Sequence, residues 1–125
     1  MFKAVKAIIR YKESFFLQLR DNNKNIPYPN RWAFFGGRLL SNEDPREGLI
    51  RELIEELEYH PKDSRIFHSW FNSETKTFIL YYLIQTTEKI KFKNILEGQK
   101  GEWIGKNKLS TLPIAPDIRE VKHLL

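Results

Sequence analysis

The 125-residue chain is 41% hydrophobic, 30% charged and 14% aromatic, a composition that excludes a disordered polypeptide and is typical of one globular domain over residues 1–125. It contains no cysteine, which excludes disulfides, thiolate nucleophiles and cysteine-based zinc sites. The net charge of +5 favours anionic partners such as nucleotides or nucleic acid, although a merely basic soluble surface explains it equally well.

The N-terminal sequence MFKAVKAIIRYKESFF lacks a long apolar segment followed by a small-residue cleavage site. No apolar run approaches the roughly 18 residues that a membrane-spanning helix needs. We therefore expect a cytoplasmic protein with no membrane partner.

The N-terminal third predicts paired strands and a loop. Residues 2–11 and 14–20 are rich in β-branched and aromatic residues and are separated by two polar residues, as in a hairpin. The Asn- and Pro-rich residues 21–31 predict a loop. Residues 32–35, WAFF, predict a short buried strand that stops at Gly36 and Gly37, where the backbone must approach another group closely.

A helix is predicted next, with Asp44 as N-cap and Pro45 in the first position. One face of this helix carries an apolar stripe that we expect to be buried: Leu49, Ile50, Leu53, Ile54 and Leu57. Beyond it, residues 64–71 and 75–87 predict a long hairpin whose second strand, almost continuously apolar, is central in its sheet.

The C-terminal part of the chain predicts two more strands and a helix. In residues 88–93, EKIKFK, three lysines alternate with Ile90 and Phe92, which favours an edge strand with a solvated lysine face over a nucleic-acid contact. Residues 101–105 predict another strand and residues 116–125 an amphipathic helix. The order of elements indicates a mixed α/β domain with helices packed on a largely antiparallel or mixed sheet.

Three glutamates of the acidic helix, Glu52, Glu55 and Glu56, lie within about 100° of each other on the helical wheel, at spacings of three and four residues. Like charges at these spacings repel, and a divalent cation would make the interaction favourable. Hard oxygen ligands suit Mg²⁺ or Mn²⁺, and Arg51 is placed to orient a carboxylate. The alternative is a solvated face of Glu–Arg pairs without a metal.

The segment around this helix resembles the Nudix box, the signature of the MutT-like Nudix hydrolases. Six of the seven fixed positions of the box are matched: Gly37, Glu43, Arg51, Glu52, Glu55 and Glu56. The seventh, a glycine that normally supplies a left-handed helix end, is Glu58 here. Leu40 and Asn42 stand where many members have Glu and Gly, and asparagine tolerates the left-handed conformation.

The resemblance implies a Nudix α/β/α sandwich with a mixed central sheet, the acidic helix on one side and a C-terminal helix. It also implies a metal site formed by Glu55, Glu56 and Glu97, with a carbonyl of Gly36 or Gly37 as a further ligand. Glu52 is then the favoured general base, although it could equally be a ligand. Arg51 would orient the glutamates, and Glu43 would brace the loop against the helix.

The same resemblance places Arg20 and Arg38 against substrate phosphates. Asp117 lies close to the position of a purine-contacting amide in MutT-like members; its carboxylate either reads an exocyclic amine or caps the last helix. The aromatic residues Phe34, Phe35, Tyr81 and Tyr82 are candidates for stacking on the base, with the core as their more common place. The three histidines, His60, His68 and His123, stand apart in sequence and are interpreted as structural.

Three functions remain open. The first is Mg²⁺-dependent hydrolysis, with Mn²⁺ as a substitute, of a nucleoside diphosphate linked to X: a nucleoside triphosphate, oxidised or not, or a nucleotide sugar. The second is removal of pyrophosphate from RNA 5′ ends, and the third is a module that binds nucleotide or RNA without turnover. The isoprenoid isomerase branch is excluded because it needs a catalytic cysteine. The sequence defines neither X nor the oligomeric state.

Overall fold

The computed structural model describes all residues, Met1–Leu125, as seven strands and two α-helices. The strands are β1 Ala4–Tyr11, β2 Ser14–Leu19, β3 Trp32–Ala33, β4 Phe35–Arg38, β5 Arg65–Asn72, β6 Thr77–Gln85 and β7 Lys100–Gly105. The α-helices are α1 Pro45–Leu57 and α2 Pro116–Val121, and single 3-10 turns follow β7 at Lys106–Lys108 and α2 at Lys122–Leu124. Neither helix has the length and apolar composition that crossing a membrane requires.

The strands form one mixed sheet in which β1 is central. This strand pairs in parallel with β6 along its length, and on its other side it pairs antiparallel with β2 and β4. The path through the sheet runs β3-β2-β1-β6-β5, with β7 added to the outer side of β2. The predicted hairpins 2–11/14–20 and 64–71/75–87 are therefore confirmed, with β6 inside the sheet as expected.

Both faces of the sheet are buried, because alternate residues of β6 belong to two separate hydrophobic clusters. Leu80, Tyr82 and Ile84 pack with Leu49, Leu53 and Leu57 of α1. Ile79, Tyr81 and Leu83 pack on the other side with Ile118 and Val121 of α2. One helix thus covers each face, which is the predicted α/β/α sandwich. The aromatic candidates Phe34, Phe35, Tyr81 and Tyr82 are all core residues.

Helix α1 begins as predicted and buries a narrower stripe than predicted. The Asp44 carboxylate caps the helix by accepting hydrogen bonds from the Arg46 and Glu47 amides, at 3.1 and 3.2 Å. The expectation that Ile54 is buried is wrong, since 45% of this residue is exposed. The buried face is rotated toward Glu56, which is 5% exposed. The buried face of α1 therefore contains the polar residue Glu56 and lacks the apolar residue Ile54.

Glu58 ends α1 in the conformation that a glycine would normally supply. Its backbone is left-handed, with φ 53° and ψ 36°, and the Glu58 amide donates to the Ile54 carbonyl at 2.9 Å. Asn42, in the loop before the helix, is also left-handed with φ 62°. The missing box glycine therefore leaves the helix end intact and places a strained glutamate there.

We expect Glu58→Gly to raise the free energy of unfolding by about 0.5 kcal/mol, because release of the left-handed strain exceeds the added chain entropy. Both variants lose the hydrogen bond that the Glu58 carboxylate accepts from the Asn94 side-chain amide. Because only alanine keeps the left-handed strain, Glu58→Ala should be less stable than Glu58→Gly. Urea unfolding of the three proteins measures both differences. Equal stability of the glycine and alanine variants would contradict this account.

The predicted edge strand at residues 88–93 is wrong. These residues belong to a connection without regular structure between β6 and β7. Its apolar residues are anchored in an aromatic cluster: the Phe92 ring lies 4.4 Å from Phe16 and 5.2 Å from Tyr59, and the Ile90 carbonyl accepts from the Trp103 indole. Phe92 thus packs on the hydrophobic cluster that contains the α1 leucines, and β7 pairs with β2 at the edge of the sheet. The three lysines Lys89, Lys91 and Lys93 remain exposed.

Candidate functional site

One cavity of about 440 Å³ opens between the start of α2, the box helix α1 and the loop after β2. Its lining combines small or apolar residues with most of the charged residues that the sequence singled out. The charged residues are Lys6, Arg20, Arg38, Glu52, Glu56, Glu97 and Asp117. These residues come from six separate segments of the chain, and the sheet and its two helices bring them together.

Glu52 and Glu56 reach the cavity from successive turns of α1. Glu56 is almost fully buried, and its carboxylate accepts a hydrogen bond from the Gly36 amide at 3.1 Å. Burial, the neighbouring Glu52 carboxyl and the charge of Glu97 raise the pKa of Glu56 well above its usual range. A carboxyl in this position requires a proton or a cation to be stable.

Glu97 enters the cavity from the connection between β6 and β7. The preceding amide, that of Leu96, donates to the Glu56 carbonyl at 2.8 Å, so the connection is tied to α1 beside the carboxylates. Burial raises the pKa of Glu97, and Arg20 opposes that increase. The cavity thus carries three carboxyl groups on one wall, two of which have a raised pKa.

Arg51 organises the outer side of this wall. Its guanidinium donates to both oxygens of Glu43, at 2.7 and 2.9 Å, and to Glu52 and Glu55, at 3.1 and 3.3 Å. A further bond reaches the Arg38 carbonyl at 3.1 Å. The Arg51 hydrogen bonds lower the pKa of Glu43 to about 2, so this carboxylate is ionised and firmly held. Glu43 therefore joins the loop to α1 through Arg51.

Glu55 does not line the cavity. Its side chain is 57% exposed and is bound by Arg51 on the outer side of the helix. As the side chains stand, no group of three or more His, Asp or Glu residues is arranged to hold a metal ion. The three carboxyls of the cavity wall nonetheless suit a divalent cation, since the buried Glu56 carboxyl has no cationic partner among the ion pairs of the structure.

The glycine pair shapes the floor beneath these carboxyls. Gly36 has φ 141°, and a Cβ there would lie 2.1 Å from the Val5 carbonyl oxygen. A Cβ on Gly37 would lie 2.5 to 2.6 Å from the carboxyl atoms of Glu52. Glycine at position 37 thus leaves the space that the Glu52 carboxyl occupies.

The three predicted substrate contacts all line the cavity. Arg20 donates to the Pro27 carbonyl at 2.9 Å, and Arg38 is exposed at the cavity edge. The alternative role of Asp117 as a helix cap is wrong, because Ala115 is the N-cap of α2. The Asp117 carboxylate instead accepts from the Phe34 amide at 3.0 Å and the Ile118 amide at 2.9 Å.

Sequence reasoning missed several lining residues. Lys6 is the one with a visible signal, since it interrupts the apolar run AVKAII of β1. Tyr28, Asn72, Thr75 and Thr77 come from loop or hairpin positions without a distinguishing pattern. None of the three histidines lines the cavity; His68 instead pairs with Glu120 at 3.0 Å.

The chain belongs to the Nudix family, because residues 2–125 match the family profile described as NUDIX domain. It is 31% identical over 74 residues to an RNA pyrophosphohydrolase of Pasteurella multocida strain Pm70. That match covers 59% of this chain and 35% of the relative, so the chain spans about a third of the relative's length.

The solved structures that share this fold include two Nudix proteins. The Nudix domain of NrtR from Shewanella oneidensis, solved with ADP-ribose, superposes with a TM-score of 0.80 at 15% identity, covering 98% of this chain and 84% of that one. A MutT protein from Methanosarcina mazei Go1 superposes with a TM-score of 0.78 at 21% identity, covering 97% and 89%. At these identities the likeness concerns the fold alone, and it is a fold that a MutT protein also has.

Proposed function

We propose that residues 1–125 act as one catalytic domain that hydrolyses a pyrophosphate bond in a nucleoside diphosphate linked to X. X is either a phosphate or a sugar. In the first case the substrate is a nucleoside triphosphate, oxidised or not, and in the second it is a nucleotide sugar. The observation that carries this proposal is the cavity itself, in which Glu52, Glu56 and Glu97 share a space with Arg20 and Arg38. Carboxylates that gather a cation beside guanidinium groups that bind phosphate are what hydrolysis of a phosphoanhydride needs.

The proposed cofactor is Mg²⁺, with Mn²⁺ as a substitute, because the available donors are carboxylate and carbonyl oxygens. Glu56, Glu97 and, after rotation away from Arg51, Glu55 would hold it, with a carbonyl of Gly36 or Gly37 as a further oxygen donor. When bound, the cation would neutralise phosphate oxygens, acidify a water molecule and stabilise the leaving group.

The chain's own residues supply the remaining steps. Arg20 and Arg38 would bind the phosphate oxygens and fix the phosphorus relative to the carboxylates. Glu52, held over Gly37 and hydrogen-bonded by Arg51, would accept the proton of the attacking water, or serve as a ligand while another glutamate does so. Asp117, which is 6% exposed and lines the same cavity, would contact the base.

A second candidate is removal of pyrophosphate from RNA 5′ ends. Two observations favour it: the similarity to a protein named RNA pyrophosphohydrolase, and the exposed Lys89, Lys91 and Lys93 on the connection that leads to Glu97. Such an activity would weaken steeply with added salt, because each lysine–phosphate contact releases counterions.

The test is release of phosphate and pyrophosphate from a panel of nucleoside triphosphates, oxidised triphosphates, dinucleotides, nucleotide sugars and triphosphorylated RNA. We expect turnover with Mg²⁺ and none after chelation with EDTA, with activity restored by Mg²⁺ or Mn²⁺. Cleavage of triphosphorylated RNA and of no other member of the panel would support the second candidate. Tight nucleotide binding without turnover under any metal would overturn both and indicate a binding module.

A further inference from the structure

Lys6 and Asp117 form an ion pair in the lining of the cavity, and the proposed reaction gives Lys6 no part. The Lys6 ammonium lies 3.6 Å from the Asp117 carboxylate, and the two side chains are 15% and 7% exposed. Lys6 is the third residue of β1 and stands between the fully buried Val5 and Ala7. A lysine in a central strand is unfavourable for packing, so its place here points to a ligand in the cavity.

The pair leaves a defined set of hydrogen-bonding groups free. The Lys6 ammonium donates no hydrogen bond within the protein, and its distance from Asp117 is too long for one, so all three of its N–H groups are available. Each Asp117 oxygen accepts one backbone amide, from Ile118 or Phe34, which leaves further acceptor capacity on both oxygens. The Lys6–Asp117 part of the cavity lining therefore presents donors beside two acceptors.

A nucleobase that fits this array needs an acceptor next to two donors. The guanine edge has that order, with the O6 acceptor followed by N1–H and the N2 amine. Adenine and cytosine offer a single donor group on the corresponding edge, and uracil would turn a second carbonyl oxygen toward the Asp117 carboxylate. We propose that Lys6 is a specificity-determining residue that, together with Asp117, selects guanine nucleotides. This inference deepens the proposed function and rests on it for the identity of the site.

The surfaces around the pair suit a flat base. Ala4 and Ile79 are paired on neighbouring strands, two residues from the Lys6–Tyr81 pair, and so lie on the same side of the sheet as Lys6. Both line the cavity and offer a small and an apolar surface beneath a ring. With the base held there, its phosphates would be left to Arg20 and Arg38, which line the same cavity.

The test measures the dissociation constants of GMP, IMP and AMP by calorimetry in the presence of Mg²⁺. These monophosphates contain no anhydride bond, so binding is measured without turnover. We expect the wild-type protein to bind GMP about tenfold more tightly than AMP or better, with IMP between them because it lacks the N2 amine. Equal affinity for GMP and AMP in the wild type would overturn the inference, and this arm needs no variant.

The variant arm uses Lys6→Met, which keeps the length of the side chain and removes its donors. We expect GMP affinity to fall about tenfold and AMP affinity to stay within about twofold. Lys3→Met, which removes the same charge from an exposed position just before β1, should change neither. A Lys6→Met protein that retains the wild-type GMP-to-AMP ratio would overturn the inference. Hydrolysis of the panel without base preference would also overturn the inference and would leave the proposed function standing. Selective binding of guanine nucleotides without turnover would overturn the proposed function and leave the inference standing.

Discussion

Glu56→Gln should lower the rate of nucleotide hydrolysis by about a thousandfold while leaving the protein folded. The physical reason is the position of this carboxyl: it is 5% exposed, it is held by the Gly36 amide, and it lies beside Glu52 and Glu97. The amide of glutamine keeps the shape of the side chain and loses the charge that would hold a divalent cation. Hydrolysis rates on the best substrate of the panel, with saturating Mg²⁺, measure the effect.

The same variant should change metal-induced stabilisation and its pH dependence. Burial raises the pKa of Glu56 above its ordinary value of 4.5, so folding without metal requires this carboxyl to take up a proton. That requirement is absent below pH 4.5, lowers stability as the pH rises from 4.5 toward the raised pKa of about 9, and adds no further loss above it. Without metal at pH 7, Glu56→Gln should therefore unfold at a higher temperature than the wild type. Added Mg²⁺ or Mn²⁺ should stabilise the wild type and have little effect on the variant.

Glu47→Gln is the matched control, since Glu47 is an exposed acidic residue in the first turn of the same helix. It removes the same charge and should retain wild-type hydrolysis and wild-type stabilisation by Mg²⁺. If Glu56→Gln retained full activity, the buried carboxyl would have no part in the reaction. If both variants lost activity equally, the effect would reflect the charge of the helix as a whole rather than the cavity.

The parts of the fold that the sequence predicts are those set by local pattern. The cap at Asp44 follows from one side chain, and the central place of β6 follows from its continuous apolar run, both faces of which are buried. Residues 88–93 show where a local pattern is insufficient. Their alternation also suits a segment whose Phe92 is drawn into a tertiary cluster with Phe16 and Tyr59, and nothing within six residues distinguishes the two.

The site residues likewise fall into those that local spacing predicts and those that depend on tertiary structure. A spaced motif identifies Glu52 and Glu56 because both lie on one helix, where spacing determines geometry. Tyr28 and Asn72, which are joined by a 3.2 Å hydrogen bond across the cavity lining, come from segments 44 residues apart. Their proximity depends on how the loop after β2 folds over the hairpin, which no local rule specifies. The orientation of Glu55 is likewise undetermined by spacing, because Arg51 can draw it outward.

The two glycines of the box floor should separate folding from activity. Gly36→Ala is expected to reduce the free energy of unfolding by about 3 kcal/mol or more. Gly36 pairs with Lys6 in the β1–β4 ladder, and an added Cβ would lie 2.1 Å from the Val5 carbonyl oxygen. That oxygen belongs to the backbone of the central strand, so relief of the clash requires β1 and β4 to separate. The φ of 141° adds strain that alanine cannot avoid.

Gly37→Ala should have the opposite profile, because the three atoms nearest to its added Cβ would be those of the Glu52 carboxyl, at 2.5 to 2.6 Å. A flexible side chain can move aside, so the loss of stability should stay within about 1 kcal/mol. Moving that carboxyl takes it off its position beside Glu56, and hydrolysis should fall about tenfold to a hundredfold.

Thermal unfolding and hydrolysis rates of the two variants test whether Gly36→Ala mainly lowers stability and Gly37→Ala mainly lowers activity. Gly36→Ala should melt about 10 °C lower than the wild type, whereas Gly37→Ala should melt within a few degrees of it and be catalytically impaired. Equal melting temperatures for the two variants would mean that β1 and β4 accommodate a methyl group at position 36, against the 2.1 Å contact. Full activity in Gly37→Ala would mean that the position of the Glu52 carboxyl over this glycine is unimportant for the reaction. Gly36→Ala should cost more stability than Gly37→Ala because the added Cβ meets fixed backbone of Val5 at position 36 and the movable Glu52 carboxyl at position 37.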